Sequence, residues 1–272
     1  MIVICPSLEE TVRLIDPHAR TVLIENAPGS SEEEATAEQA AAVRQSLGVA
    51  DKAPMILYTG TFEAYQGLDL LFEAMTIVHA SRPDARLVLA GGKPEQIARA
   101  RERTGAAGIE AATIFAGERP PGEIPAYLLA ADVLVSPRSR GTNTPLKIYQ
   151  YLRSGRPIVA TRLLTHTQVL SDDTAVLTGA TAREFAGGML AALNDRERAA
   201  AIAKQARLVA ETKYSYEAYL ERTRQAYAVL GDGSPYDSRR PVPDRSPDDS
   251  RRPVSDQSPN ATRRPVPDKD LA

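Results

Sequence analysis

The chain has 272 residues, with 33 Lys or Arg against 35 Asp or Glu, and a formal net charge of −2. This length suits one large or two small domains, and the charge balance argues against nucleic acid or an anionic membrane as the main partner. The single cysteine excludes a disulfide framework and favours a reducing compartment such as the cytoplasm.

The histidines His18, His79 and His166 lack the spacing of metal ligands, so we predict no structural metal site. No apolar run approaches the roughly 20 residues that span a bilayer. The first residues also lack the basic group of a secretory signal. We therefore expect a cytoplasmic protein without a transmembrane segment.

The chain opens with an apolar run at residues 2–5, which predicts a strand. A capping-box-like pattern at Ser7-Leu8-Glu9-Glu10 predicts a helix start at Ser7, and residues 21–26 predict a second strand. A compact domain seldom opens with an isolated strand. We therefore interpret residues 1–20 as the last piece of a preceding domain.

Strand and helix patterns then alternate up to residue 230. Apolar runs predict strands at residues 55–58, 86–90, 113–115, 133–135, 158–160 and 175–177. Apolar stripes predict helices around residues 68–78, 124–128, 185–193 and 199–230. This order predicts an α/β fold, a doubly wound parallel sheet with helices on both faces.

Ligands bind such sheets at the carboxyl ends of the strands. Gly60 follows the first of these strands, Gly91 and Gly92 follow the second, and residues 136–144 follow the fourth. We therefore expect these segments to share one edge of the sheet.

The joint at Thr144-Pro145 predicts a helix with Thr144 as its N-cap and Pro145 as its first residue. Gly155 fits the left-handed position after the helix, which would end near Ser154. A cation at Lys147 opposes the helix dipole unless an anion lies nearby, and helix N-termini bind phosphate readily. A solvated lysine beside an ordinary cap is the alternative interpretation.

From residue 231 the composition changes to Pro, Asp, Ser and Arg. Ser238-Arg239-Arg240-Pro241-Val242 recurs twice at a spacing of twelve residues, starting at Ser250 and at Thr262. This segment has too few large apolar residues to bury a core, so residues 231–272 are predicted to be a disordered tail. A proline-rich recognition tail and a tandem duplication without a selected role both remain open.

The ordered motifs together resemble one family. They are Asn26-Ala27-Pro28, Tyr58-Thr59-Gly60, Gln66-Gly67-Leu68-Asp69-Leu70-Leu71, Leu89-Ala90-Gly91-Gly92, Phe115-Ala116-Gly117, residues 131–137 and residues 145–161. Over residues 21–230 the chain is similar to the C-terminal, donor-binding half of a family 4 glycosyltransferase with the two-Rossmann-domain (GT-B) fold. Residues 1–20 then resemble the end of the N-terminal, acceptor-binding half.

The resemblance implies retaining transfer of a sugar from a nucleotide-diphosphate donor to an unknown acceptor, without a metal or other cofactor. It implies a diphosphate near residues 60–61 and the start of the Pro145 helix, a nucleoside near residues 91–92, and a base near residues 116–118. The donor-binding residues that we expect are Gly60, Thr61, Gln66, Gly91, Gly92, Gly117, Arg140, Asn143, Thr144, Pro145, Leu146, Lys147 and Gln150.

Four positions depart from the family pattern. Thr142 and Gln150 occupy the two places where the family usually has glutamates, so the resemblance names no catalytic residue. Gln150 can still hydrogen-bond ribose hydroxyls. Thr61 and Gln66 replace the usual arginine and lysine. We therefore hypothesise that Lys147 is the main cation for the diphosphate and Arg140 the second, with Arg138 also available.

Further polar residues have structural alternatives. Asp69 and Glu123 are interpreted as acids in the first turns of helices, and Glu63 lies near the Gly60 turn. His166 is expected in a loop at the ligand edge, either as a donor contact or without function. Cys5 is interpreted as core.

Two other functions stay open beside a glycosyltransferase. One is a non-catalytic nucleotide-sugar-binding module, acting with a separately encoded N-terminal half. The other is a sugar epimerase of the same two-domain fold, although its carboxylates and histidines have no obvious positions here. The family resemblance also leaves open a peripheral location at the inner membrane surface.

Overall fold

The structure is a computed structural model that describes residues 1–27 and 34–232. Its strands are β1 (Ile2–Val3), β2 (Val22–Leu23), β3 (Met55–Thr59), β4 (Arg86–Ala90), β5 (Thr113–Gly117), β6 (Val133–Ser136), β7 (Ile158–Thr161) and β8 (Val176–Thr178). Its α-helices are α1 (Pro6–Ile15), α2 (Ala37–Ser46), α3 (Leu68–Ser81), α4 (Pro94–Ala106), α5 (Ile124–Ala130), α6 (Lys147–Arg153), α7 (Leu164–Thr167), α8 (Ala182–Asn194), α9 (Arg196–Lys213) and α10 (Tyr216–Asp232). Short 3₁₀ turns lie at Ala64–Gln66, Glu110–Ala112 and Pro121–Glu123.

Within the described residues, six strands form one parallel sheet in the order β5-β4-β3-β6-β7-β8. The chain therefore winds outward from β3 in one direction and then restarts at β6 in the other. The carboxyl ends of β3 and β6 flank the switch point, where doubly wound sheets bind ligands. The α/β fold predicted from the alternating pattern is confirmed.

The central strands are buried on both faces, which explains why their sequences are continuous apolar runs rather than alternating ones. Residues 55–58 of β3 have no exposed surface. Met55 and Leu57 pack in the layer that contains α5, α6 and α9, while Ile56 and Tyr58 pack in the layer that contains α3 and α8. The predicted stripe of α3 supplies Leu71, Phe72, Met75 and their neighbours to this second layer.

The N-terminal strand has a partner. β1 pairs in parallel with β2, with Ile2 opposite Val22 and Val3 opposite Leu23, and α1 connects them. The predicted helix start at Ser7 is wrong, because α1 begins at Pro6 with Cys5 as its N-cap and without a side-chain capping bond. α1 buries no residue fully, and its last residues Leu14 and Ile15 are 85% and 80% exposed.

The region predicted as closing helices beyond residue 199 contains two helices, α9 and α10. α10 continues to Asp232, and the remainder of the predicted tail, residues 233–272, lies outside the described residues, as does Pro28. Among the helices of the described ranges, none combines the length and the apolar character needed to cross a bilayer.

Candidate functional site

A cleft of about 800 Å³ opens at the carboxyl edge of the large sheet, a volume typical of small-molecule sites. Eleven of the predicted donor-binding residues line it: Gly60, Thr61, Gln66, Gly91, Gly92, Asn143, Thr144, Pro145, Leu146, Lys147 and Gln150. Gly117, Arg140 and Thr142 do not. The structure therefore brings together residues that are up to 90 positions apart.

Two glycine turns form the floor of this cleft. Gly60 and Gly91 have φ of +128° and +126°, a region that side-chain-bearing residues rarely adopt. A Cβ atom added to Gly91 would stand 2.1 Å from the carbonyl oxygen of Gly60. The turns after β3 and β4 can therefore touch only because Gly91 has no side chain.

Lys147 lies beside the Gly60 turn. Its Nζ donates a hydrogen bond of 2.9 Å to the carbonyl of Thr59 and lies 3.8 Å from the centre of the Tyr58 ring. Burial holds the pKa of Lys147 well below its ordinary value, and the neighbouring Arg138 lowers that pKa further. Lys147 thus lines the cleft with an ammonium group whose charged form is disfavoured by burial and would be stabilised by a bound anion.

Arg138 supplies the second cation of the cleft, at the place where the sequence favoured Arg140. Its Nη1 donates to the carbonyl of Asn143 at 2.8 Å and to Oγ1 of Thr165 at 2.9 Å, and its guanidinium carbon lies 4.9 Å from the Tyr65 ring centre. Its buried Nε has no protein partner among the described residues. Arg140 is exposed and is not among the residues that line the cleft, whereas Arg138 is.

Neither cation pairs with a carboxylate within residues 1–27 and 34–232. Buried charges in proteins are ordinarily paired or bound to a ligand. The arrangement therefore favours an anionic occupant.

The helix that carries Lys147 starts later than predicted. α6 begins at Lys147 with Leu146 as its N-cap, so Thr144 is not the cap and Pro145 is not the first helical residue. The N–H groups of Ile148 and Tyr149 bond to carbonyls three residues back, at Pro145 and Leu146. This tight 3₁₀-type turn delays the first α-helical bond. The predicted end is confirmed, since Gly155 follows α6 with φ of +65°.

The two positions where the family has glutamates lie in different environments. Gln150 is half-buried and lines the cleft. Thr142 is exposed, and its carbonyl accepts a hydrogen bond of 2.7 Å from Nε2 of Gln168. Neither supplies a carboxylate to the cleft. Among the described residues, Glu118 in the loop after β5 is the acid that lines the cleft.

His166 is buried in α7, so the expected loop position is wrong. Its Nε2 lies 2.8 Å from Oγ of Ser136 and its Nδ1 lies 2.8 Å from the carbonyl oxygen of Thr161. Burial lowers the pKa of His166 to about 4, so the ring is neutral near pH 7. Its two bonds join the ends of β6 and β7 instead of contacting the cleft.

The other polar candidates have structural roles. Asp69 lies in the first turn of α3, as predicted, and pairs with Arg103. Glu63 accepts a bond from Gln96 at 2.9 Å. Glu123 belongs to a 3₁₀ turn rather than to the first turn of α5, because Pro121 starts the turn before α5 begins.

Further lining residues were not among the expected donor-binding residues: Ile4, Asn26, Thr59, Tyr65, Ala90, Arg119 and Ile124. Ile4 follows β1 directly, and Asn26 lies a few residues after β2. The rule that ligands lie at the carboxyl ends of parallel strands could have identified both, had the small sheet been recognised.

These features define a class: a doubly wound α/β domain with a glycine-floored, cationic cleft at its switch point. The family model for glycosyl transferases group 1 matches residues 39–209, more than half of the chain. The protein belongs to this family.

Curated proteins with similar sequences are also described as glycosyltransferases. A GDP-mannose-dependent monoacylated alpha-(1-6)-phosphatidylinositol monomannoside mannosyltransferase of Corynebacterium glutamicum is 28% identical over 196 residues, 69% of this chain and 50% of that protein. The chain spans about half the length of the curated relatives it matches.

Two solved structures share the fold. The crystal structure of Anabaena Alr3699/HepE in complex with UDP and glucose has a TM-score of 0.72 and 19% identity, over 85% of this chain and 63% of that one. The C-terminal domain of a group 1 glycosyl transferase (LpcC) of Francisella tularensis has a TM-score of 0.57 and 20% identity, over 70% of this chain and 96% of that one. The six-stranded sheet with its flanking helices is that of GT-B glycosyltransferases.

Proposed function

We propose that this chain is the donor-binding half of a retaining glycosyltransferase, and that its cleft binds a nucleotide-diphosphate sugar. The observation that carries the proposal is a glycine-floored cleft with two cations that no carboxylate of the described residues neutralises. Family membership points to the same chemistry, and the Anabaena relative of the same fold holds UDP and glucose.

Within this proposal, the diphosphate lies beside the Gly60 turn and is neutralised by Lys147 and Arg138. Main-chain groups of residues 143–146 face the sugar and the phosphates, residues 91–92 adjoin the nucleoside, and Gln150 bonds the ribose. The catalytic contribution is electrostatic: fixed cations stabilise the negative charge that develops on the departing diphosphate. We assign no protein nucleophile and no cofactor.

Transfer needs an acceptor site, which we assign to a second domain. The chain spans about half the length of its curated relatives, and it covers 96% of a solved C-terminal domain of a group 1 glycosyl transferase. Exposed apolar residues at the cleft mouth, Ile4 and Leu146, offer a surface for such a domain. We propose that residues 1–20 continue into it, and that the isolated chain binds donor without appreciable turnover.

The test compares Lys147→Ala with Lys204→Ala, an exposed lysine of α9. Calorimetry with a nucleotide-sugar that the parent chain binds should show a loss of about tenfold or more for Lys147→Ala, because a charge-assisted contact contributes about 1.5–3 kcal/mol. Lys204→Ala should bind like the parent. A Lys147→Ala chain that binds as tightly as the parent would refute this role.

A further inference from the structure

Gln168 joins two parts of the molecule that are far apart in sequence. Its Nε2 donates to the carbonyl of Thr142 at 2.7 Å, and its Oε1 accepts from the main-chain N–H of Ser7 at 2.8 Å. Thr142 belongs to the cleft loop, which we define as residues 138–146. Ser7 is the second residue of α1. One amide side chain therefore connects the start of α1 to the loop that carries much of the cleft lining.

Gln168 directly follows α7, and α7 is bonded to the large sheet. His166 has no exposed surface and bonds Ser136 and Thr161, the last residues of β6 and β7. Oγ1 of Thr165 donates to the carbonyl of Asn143 at 2.6 Å. α7 is fixed to the sheet, and Thr165 and Gln168 donate to two successive carbonyls of the cleft loop. A shift of that loop must therefore strain the Gln168 bonds or move α1.

Glutamine suits this position because its amide offers a donor and an acceptor together. The donor faces a carbonyl oxygen and the acceptor faces an N–H group. The N–H of Ser7 lies in the first turn of α1, where no helical carbonyl is available, so Gln168 is its partner. A glutamate would keep the acceptor but would place carboxylate oxygen against the carbonyl of Thr142. A methionine would fill similar space without either bond.

We infer that Gln168 is a positioning residue that couples the placement of α1 to the conformation of the cleft loop. Ligand binding in the cleft then stabilises α1 against local opening, and whatever holds α1 in place favours the binding conformation of the loop. The coupling is reciprocal, as any linkage between two sites must be. The inference rests on the proposed function only for the chemistry of the ligand, a nucleoside diphosphate or its sugar ester.

Amide hydrogen exchange of the ligand-free chain, read residue by residue by NMR, provides the first test. Gln168→Met should speed exchange at Ser7 about tenfold and also loosen residues 141–144, since one hydrogen bond is lost at each end of the side chain. Amides of β3 and β7 should not change. Gln168→Glu should loosen residues 141–144 while leaving Ser7 protected. Thr167→Ala, at an exposed neighbour, is the matched control.

The second test adds UDP or GDP. In the parent chain the nucleotide should slow exchange in α1 as well as in the cleft loop. In Gln168→Met the effect on α1 should be much smaller, because only the weak contact of 3.9 Å from Cys5 Sγ to the Thr142 carbonyl then joins them directly. Unchanged exchange at Ser7 in Gln168→Met, or an undiminished ligand effect on α1, would overturn the inference. If the parent binds no nucleotide at all, the proposed donor site fails, and the ligand-free comparison alone decides the coupling.

Discussion

Lys147 is the residue on which the proposed donor site depends most. Its pKa lies well below the ordinary value because burial disfavours the charged form, and Arg138 adds repulsion. A bound diphosphate would favour the charged form again and raise that pKa. Binding therefore takes up protons wherever the free site is partly deprotonated.

This linkage predicts the pH dependence of donor binding. Affinity for a nucleotide-sugar should be greatest at low pH and should fall as pH rises through the lowered pKa of Lys147. Calorimetry in buffers with different ionisation enthalpies would measure the proton uptake, because the diphosphate of a nucleotide-sugar does not itself titrate in the neutral range. Lys147→Met should bind more weakly and lose this uptake. Equal uptake in both chains would contradict the assignment.

The sequence was sufficient to predict that Lys147 lies at the ligand edge, but not that Arg138 lines the cleft while Arg140 does not. Both arginines lie in the same loop with no periodicity to distinguish their directions. The choice depends on Tyr65, which is more than 70 positions away and supplies the ring against which Arg138 packs. Such a contact exists only after the two halves of the sheet have assembled around the switch point.

Among the elements, the short helix α7 connects the ends of β6 and β7 to the cleft loop. The sequence between β7 and β8 contains no apolar stripe, so it was interpreted as a loop with His166 at the ligand edge. The burial of His166 depends on hydroxyl and carbonyl partners at the ends of β6 and β7. The long apolar stripe of α3, by contrast, was sufficient to predict where the helix begins and which face is buried, although α3 continues to Ser81.

His166 predicts an acid-sensitive component of stability. Its pKa is about 4 when folded against 6.5 in the reference state, so the unfolded chain takes up a proton first as pH falls. The stabilisation is complete above pH 6.5 and is lost as pH falls towards 4; its full size is of the order of 3 kcal/mol. Urea unfolding between pH 7 and 4 would measure it.

His166→Gln provides the comparison, because this variant cannot titrate. It should be less stable at pH 7 and should lose less stability on acidification than the parent. His18→Gln, at an exposed histidine, should follow the parent throughout. Parallel pH profiles for the parent and His166→Gln would contradict the neutral, buried state of this ring.

At the scale of the whole molecule, the order of elements was predictable because each central strand is covered on both faces and is therefore a continuous apolar run. The pairing of the first two predicted strands was not, because strands as short as β1 and β2 carry too little pattern to indicate a partner. Their pairing brings Ile4 and Asn26 to the cleft, so the missed sheet and the missed lining residues have one cause.

The C-terminal segment gives a prediction for the intact chain. Residues 233–272 carry few large apolar side chains, so they should contribute little to the free energy of unfolding. A chain that ends at Asp232 should keep the parent's thermal unfolding midpoint within about 2 °C, a shift of well under 1 kcal/mol, and its nucleotide affinity. A clear drop in either quantity would assign the repeats a role in the folded domain.

The central claim is that the cleft is a donor site, and direct calorimetry of the parent chain tests it. The chain would be titrated with a panel of uridine- and guanosine-diphosphate sugars, with and without EDTA. The account predicts saturable binding of at least one of them at one site per chain, unaffected by EDTA and lost in Lys147→Ala. Absence of binding across the panel, with the chain folded, would contradict it.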